Sequence, residues 1–207
     1  MEITLLKKNG KPMHLQKDDI LKRLEEDLII RPLLDIEQIG QLTIDFRLGT
    51  DFLVSFQGRD PFINASYQLS NSQPVKNFFA STRRKIGQEI LLHPHQTVLC
   101  STLEYVKLPN NVYAILNMRS SFSRLGLTIS TIVLPGYCGC ISLEITNTNN
   151  NLIKMAVGSR IVQARLFQIE RDAKYTYGLR KYVAQVRPEP SGITKDEDLE
   201  ILRSINN

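Results

Sequence analysis

The sequence predicts an all-β fold, a sandwich or barrel and most simply a jelly roll, with a short N-terminal helix and an extended C-terminal tail. Three observations predict it. The middle of the chain is a succession of short runs rich in β-branched and aromatic residues, separated by turn residues. A single convincing amphipathic helix precedes them, so the strands pack on one another rather than under layers of helices. The 207 residues, 42% hydrophobic, suffice to bury one substantial core without disulfides.

In chain order, residues 17–26 place Asp18 and Asp19 in a first turn and Ile20, Leu21 and Leu24 at helical spacing, which predicts the helix. Strands are expected at 43–48, 52–56, 89–92, 97–102, 105–108 and 112–118, and then at 127–133, 138–147, 152–156 and 160–169. Residues 58–84 are polar and weakly patterned, a long surface excursion. Beyond Glu170 come Tyr175, Tyr177, Tyr182, basic residues and prolines, then a helix at 194–205 in which Thr194 and Glu197 have capping-box spacing. One domain is expected: a helical lead-in at 1–40, a β core at 41–170, and an extended tail at 171–207.

Composition narrows the function. The formal charge is +5, but the basic residues are dispersed, and the one triplet, Arg83-Arg84-Lys85, reads as a solvated loop. A small polyphosphate is the expected anionic partner, not a nucleic acid polymer. No stretch approaches the ~18 apolar residues of a spanning helix, so no membrane partner is expected. Three cysteines without framework spacing point to the reducing cytoplasm.

The most informative stretch runs from Cys138 to Asn147. Strand alternation puts Ile141, Leu143 and Ile145 on one face and Cys138, Cys140, Ser142, Glu144 and Thr146 on the other. Glu144 is thus a mid-strand carboxylate opposite the core face, either a proton-transfer group or an ordinary solvent-facing residue. Upstream, Arg119-Ser120-Ser121-Phe122-Ser123-Arg124-Leu125-Gly126 reads as one or two helical turns closed by glycine. Ser120 and Arg124 share a face there, Phe122 and Leu125 can reach the core, and Arg119 precedes fresh backbone N–H groups that suit a phosphate. The His-x-Glu and Pro-Cys-x-x-Cys signature of zinc nucleobase deaminases does not occur, so no zinc is expected. Cys138 and Cys140 read as small buried side chains.

These residues resemble dCTP deaminase, of the dCTP deaminase and dUTPase superfamily. The likeness runs through Asp45-Phe46-Arg47-Leu48-Gly49, the 92–109 segment, Arg119-Ser120-Ser121 with Arg124 and Gly126, Pro135-Gly136, Leu143-Glu144, and Lys181-Tyr182 with Gln185 in the tail. It implies a homotrimer of distorted jelly rolls that deaminates a deoxycytidine nucleotide without zinc, at sites between subunits that the tail covers. Glu144 would be the proton-shuttling base, and Ser120 and Arg124 would position water and stabilise the addition intermediate. Arg119, Ser121, Tyr177, Lys181 and Gln185 would hold the triphosphate, with Tyr175 an equal match for the role of Tyr177 and Mg²⁺ bound through the phosphates.

The likeness breaks between Leu127 and Pro135. That segment is several residues shorter than in the family, and Leu134 stands where an Asp is usual, so dUTPase activity is not expected. The competing expectations are a nucleotide-binding or regulatory homologue with altered catalysis and a dUTPase-like hydrolase.

Overall fold

A computed structural model describes residues 14–56, 75–173, 185–190 and 204–205. Helix α1 spans Lys17–Glu26, as the spacing predicts. Its entry is fixed by the Asp19 carboxylate, which accepts the Gln16 N–H at 3.0 Å. Ile20 is fully buried, and Leu21 and Leu24 pack against the core. The three-residue strand β1, Ile29–Arg31, buries Ile30 alone, too short a pattern to stand out in the sequence.

Ten further strands follow: β2 (Ile44–Ser55), β3 (Phe79–Arg83), β4 (Glu89–Leu92), β5 (Thr97–Lys107), β6 (Val112–Met118), β7 (Leu127–Thr128), β8 (Thr131–Val133), β9 (Cys138–Asn147), β10 (Ile153–Ala156) and β11 (Arg160–Gln168). The four-residue helix α2 (Ser120–Ser123) lies between β6 and β7. Among the described residues the main sheet has the order β7-β9-β5-β2-β11-β6-β8, with β1 also paired to β5 and β3 to β2; β10 and β4 form a separate pair. Every pairing is antiparallel, and the sheet curls around Phe46, Leu48, Phe52, Leu116, Leu143 and Ile145, as an all-β jelly roll requires.

Two strands are longer than the sequence pattern shows. The expected breaks at 48–52 and 102–105 are irregularities inside β2 and β5, where the register shifts between Leu48 and Phe52 and between Ser101 and Tyr105. Bulges interrupt strand alternation without ending the strand. Gly49 permits this one, because a Cβ there would stand 2.6 Å from the Ser101 carbonyl oxygen. Thr102 fills the gap in the ladder, its hydroxyl accepting the Ile141 N–H at 2.9 Å and donating to the Glu104 carbonyl at 2.7 Å.

Next to this bulge is a buried polar cluster. The Arg47 Nη1 donates to Glu104 Oε1 at 2.9 Å and to Gln38 Oε1 at 2.5 Å, while Gln38 Nε2 donates to Glu104 Oε1 at 3.0 Å. All three side chains are buried and satisfy one another.

Several expectations change. β3 forms at the end of the excursion expected for 58–84, held by pairing with β2 rather than by its own weak pattern. The single strand expected at 127–133 is β7 and β8, which join different partners, β9 and β6. Phe122 packs on the core, but Leu125 is exposed, because α2 ends before it can turn that side chain inward. Of the helix expected at 194–205, only Ser204 and Ile205 are described, and both are helical.

Candidate active site

β9 has the expected alternation. Ile141, Leu143 and Ile145 are buried, while Ser142 is half-buried and Glu144 is exposed on the other face. β5 fixes the position of Glu144 from one side, pairing Leu99 with it. From β8, the Thr131 hydroxyl donates to Glu144 Oε2 at 3.2 Å.

A cavity of about 410 Å³ opens on this face. Leu99, Ile132, Val133, Leu134 and Ile141 give it apolar walls, and Thr131, Ser142, Glu144, Gln185 and Glu189 supply its polar groups. Its volume and its small number of convergent polar groups suit one flat, partly polar ligand. Thr131, Ser142 and Glu189 had not been singled out. Ser142 was legible, since alternation sets it two positions from Glu144 on the same face, whereas Thr131 and Glu189 reach the cavity through β8 and the C-terminal segment.

α2 lies elsewhere. Ser120, Ser121 and Arg124 are exposed, and none of them lines the Glu144 cavity of its own chain. Arg119, just before α2, is held by the Asp45 carboxylate, 3.3 Å from its Nε, and by the Arg160 carbonyl, which accepts from Nη1 at 3.2 Å. Burial raises the Asp45 carboxyl above its ordinary range, against the pull of Arg119, Arg160 and Arg47. Arg160 is itself paired to Asp35 at 2.9 Å. Tyr177 and Lys181 lie outside the described residues. Gln185 is described, buried beside Ser142.

Of the cysteines, Cys100 is fully buried, and burial, with Glu144 nearby, pushes its thiol far above the ordinary range. Such a thiol is no nucleophile. Cys138 and Cys140 are half-buried rather than buried, because they share the open face of β9 with Glu144.

A curled all-β sheet carrying a strand carboxylate in a mostly apolar cavity defines a β-fold protein with a candidate small-molecule site. The chain belongs to the dCTP deaminase-like family, whose model matches residues 14–169. It is 34% identical over 194 residues to a dCTP deaminase of Halorubrum lacusprofundi, covering 90% of this chain and 94% of that protein. With a "dCTP deaminase, dUMP-forming" of Methanobrevibacter smithii it shares 31% identity over 196 residues, 90% of this chain and 99% of that one. The crystal structure of the 2'-deoxycytidine 5'-triphosphate deaminase of Agrobacterium tumefaciens has the same fold, with a TM-score of 0.57 at 23% identity. That match covers 77% of this chain and 49% of the other, so this chain spans about half its length.

Proposed function

We propose that this protein converts dCTP and water to dUTP and ammonia, with Glu144 as the proton-transfer group. One observation carries this reading: Glu144 stands in a cavity large enough to admit a nucleobase, with a hydroxyl donor at one of its oxygens. Family membership and relatives named dCTP deaminase supply the substrate.

Glu144 takes a proton from water as the water oxygen bonds to C4, and returns it to ring N3. The remaining proton of the C4 hydroxyl then passes to the 4-amino group, with Glu144 as the relay; the C4–N bond breaks, ammonia leaves, and the C4 oxygen becomes the uracil carbonyl. The apolar side chains of Leu99, Val133 and Ile141 give the ring a surface to pack on beside the carboxylate.

Ser120 and Arg124 belong to this chemistry as the groups that position the water and stabilise the addition intermediate. Their exposure on α2, apart from the Glu144 cavity, supports a homotrimer in which α2 of one protomer completes the cavity of another. Arg119, Ser121, Tyr177 and Lys181 would hold the triphosphate. Mg²⁺ would arrive on the phosphate oxygens and offset their charge, and the cationic Arg119 with the hydroxyls beside it fits the phosphates rather than the ion. The cytoplasm is the compartment in which such a nucleotide is met, and among the described residues no helix is long and apolar enough to cross a membrane.

Loss of cytosine absorbance on incubation with dCTP and Mg²⁺ tests the reaction, and its absence would sink this reading. Mixing Glu144→Gln protein with Ser120→Ala protein tests the shared site. Subunit exchange should restore part of the activity, because some interfaces then carry both intact residues. No recovery in exchanged mixtures would show that each chain builds its site alone.

A further inference from the structure

β9 opens with Cys138-Gly139-Cys140, two thiols on one strand face with a glycine between them. Both side chains are half-buried, and both thiols are free. Across the ladder, β5 sets Lys107 opposite Cys138 and Tyr105 opposite Cys140, and the Tyr105 hydroxyl shares a hydrogen bond with the Cys138 sulfur. Tyr105 and Lys107 are exposed, so this end of the face is open to solvent. Cys138 is the better placed of the two to attack an electrophile, with a hydroxyl on its sulfur and a cation across the ladder. Burial, with Glu104 and Asp51 nearby, keeps the Cys140 thiol above its ordinary range. Among the described residues no third metal-ligating side chain gathers with the pair, which suits thiol chemistry better than a held metal ion.

We propose that Cys138 and Cys140 are a reversible dithiol–disulfide pair, oxidised by hydrogen peroxide, whose closure loosens the C-terminal segment from β9. The Cys138 thiolate attacks one peroxide oxygen, the O–O bond breaks, and water leaves a sulfenic acid on Cys138. The Cys140 sulfur then attacks the Cys138 sulfur, the S–O bond breaks, and the hydroxide leaves as water with the Cys140 proton. Two thiols lose two electrons, and one peroxide becomes two waters. Residues i and i+2 of a strand stand about 6.6 Å apart, at the far end of what a disulfide spans, so closure must shorten the backbone between them. Gly139 allows this, since at φ 149° it already holds a conformation that side chains disfavour. The shortening falls where the C-terminal segment is seated: the Cys140 N–H donates to the Gln185 carbonyl at 2.8 Å, and a Cβ on Gly139 would collide with that same oxygen. A ring strained in this way is readily reopened by thiols, as a reversible switch requires.

The test treats the full chain, free of nucleotide, with a small excess of hydrogen peroxide and then with a dithiol reductant. Intact mass should fall by two hydrogens, peptide mapping should link Cys138 to Cys140, and the buried Cys100 should stay a free thiol. Hydrogen exchange at the Cys140 amide should speed up, and KM for dCTP should rise by about five-fold, the worth of one lost hydrogen bond. The reductant should reverse every change. Cys140→Ser should instead gain one oxygen at Cys138, trapped by dimedone, and keep its KM. Thiols that stay unreacted in the unmodified protein, a bond to Cys100, a bond between chains, or oxygen uptake without a disulfide would overturn the pairing, whether or not the variant folds. A Cys138–Cys140 disulfide with unchanged exchange at the Cys140 amide would overturn its coupling to the C-terminal segment. Mass and exchange are read without catalysis, and only the KM change rests on the deaminase reading. A protein that closes the disulfide but deaminates nothing therefore loses that reading and keeps the switch.

Discussion

The Thr131 hydroxyl donates to Glu144 Oε2 across 3.2 Å, tying the short strand β8 to the carboxylate of β9. This contact comes from the segment between Leu127 and Pro135, so that hairpin supplies a partner to the proposed base. Thr131→Val keeps the shape and removes the donor. We expect kcat for dCTP to fall by roughly three- to ten-fold with KM little changed, and Thr131→Ser to retain activity. Steady-state kinetics of the two variants check this, and equal losses in both would show that the methyl group matters instead.

Glu144→Gln should abolish deamination and leave dCTP binding within a few-fold of the unmodified protein, since the amide has the size of the carboxyl but cannot accept the water proton. Calorimetric binding alongside turnover measures both. Retention of more than about a tenth of kcat would assign the proton transfer to another group.

Leu134, just after β8, lines the cavity and is 37% exposed, at the position where the sequence resemblance leads one to expect an Asp. A leucine orients no water. Relatives include both a dCTP deaminase and a dUMP-forming one. We expect no pyrophosphate release from dUTP, so that dUTP made from dCTP accumulates; loss of such a group is worth about two to three powers of ten in rate. Leu134→Asp alone should not create the activity, because the side chains next to it, Ile132, Val133 and Pro135, offer a new carboxylate no donor to orient it. Appreciable pyrophosphate from the unmodified protein would show that another carboxylate orients the water.

Asp45 holds Arg119, and its carboxyl lies above the ordinary range because it is half-buried. A carboxyl with a folded pKa above its unfolded value of about 3.9 favours folding below that value and loses this contribution as pH rises through the folded pKa. Relative to Asp45→Asn, the unmodified protein should therefore lose stability as pH rises from about 3.9. The variant should also raise KM for dCTP by about two- to five-fold, as Arg119 loses its anchor. Melting curves across acid pH and a KM measurement test the two halves separately.

Arg47→Ala should destabilise the fold by about 3–5 kcal/mol, because it leaves the fully buried Glu104 carboxylate without its cation. Burial already raises the Glu104 carboxyl against the hydrogen bonds from Arg47 that lower it. The double change Arg47→Met with Glu104→Leu should recover much of the loss, since it removes both buried charges. Urea unfolding midpoints decide the matter, and a loss below about 1 kcal/mol in the single variant would show that Gln38 satisfies Glu104 unaided.

The sequence by itself determined what depends on near neighbours in the chain. Helix α1 matched residue for residue, because its acidic first turn and apolar spacing are local. The β9 alternation was legible for the same reason, and it placed Glu144 and Ser142 on the open face. Tertiary structure decided what depends on strands far apart in the sequence. Gly49 looked like the end of a strand, yet β5 pairs across it and makes it a bulge. β3 exists because β2 offers it an edge. Ser120 and Arg124, one motif in the sequence with Arg119, are exposed away from the Glu144 cavity, while Thr131 and Gln185, 13 and 41 positions from Glu144, are brought to it. A strand pattern says which face a side chain occupies. Only pairing across the sheet, and the C-terminal segment seated against Gly139, decides which faces meet around one cavity.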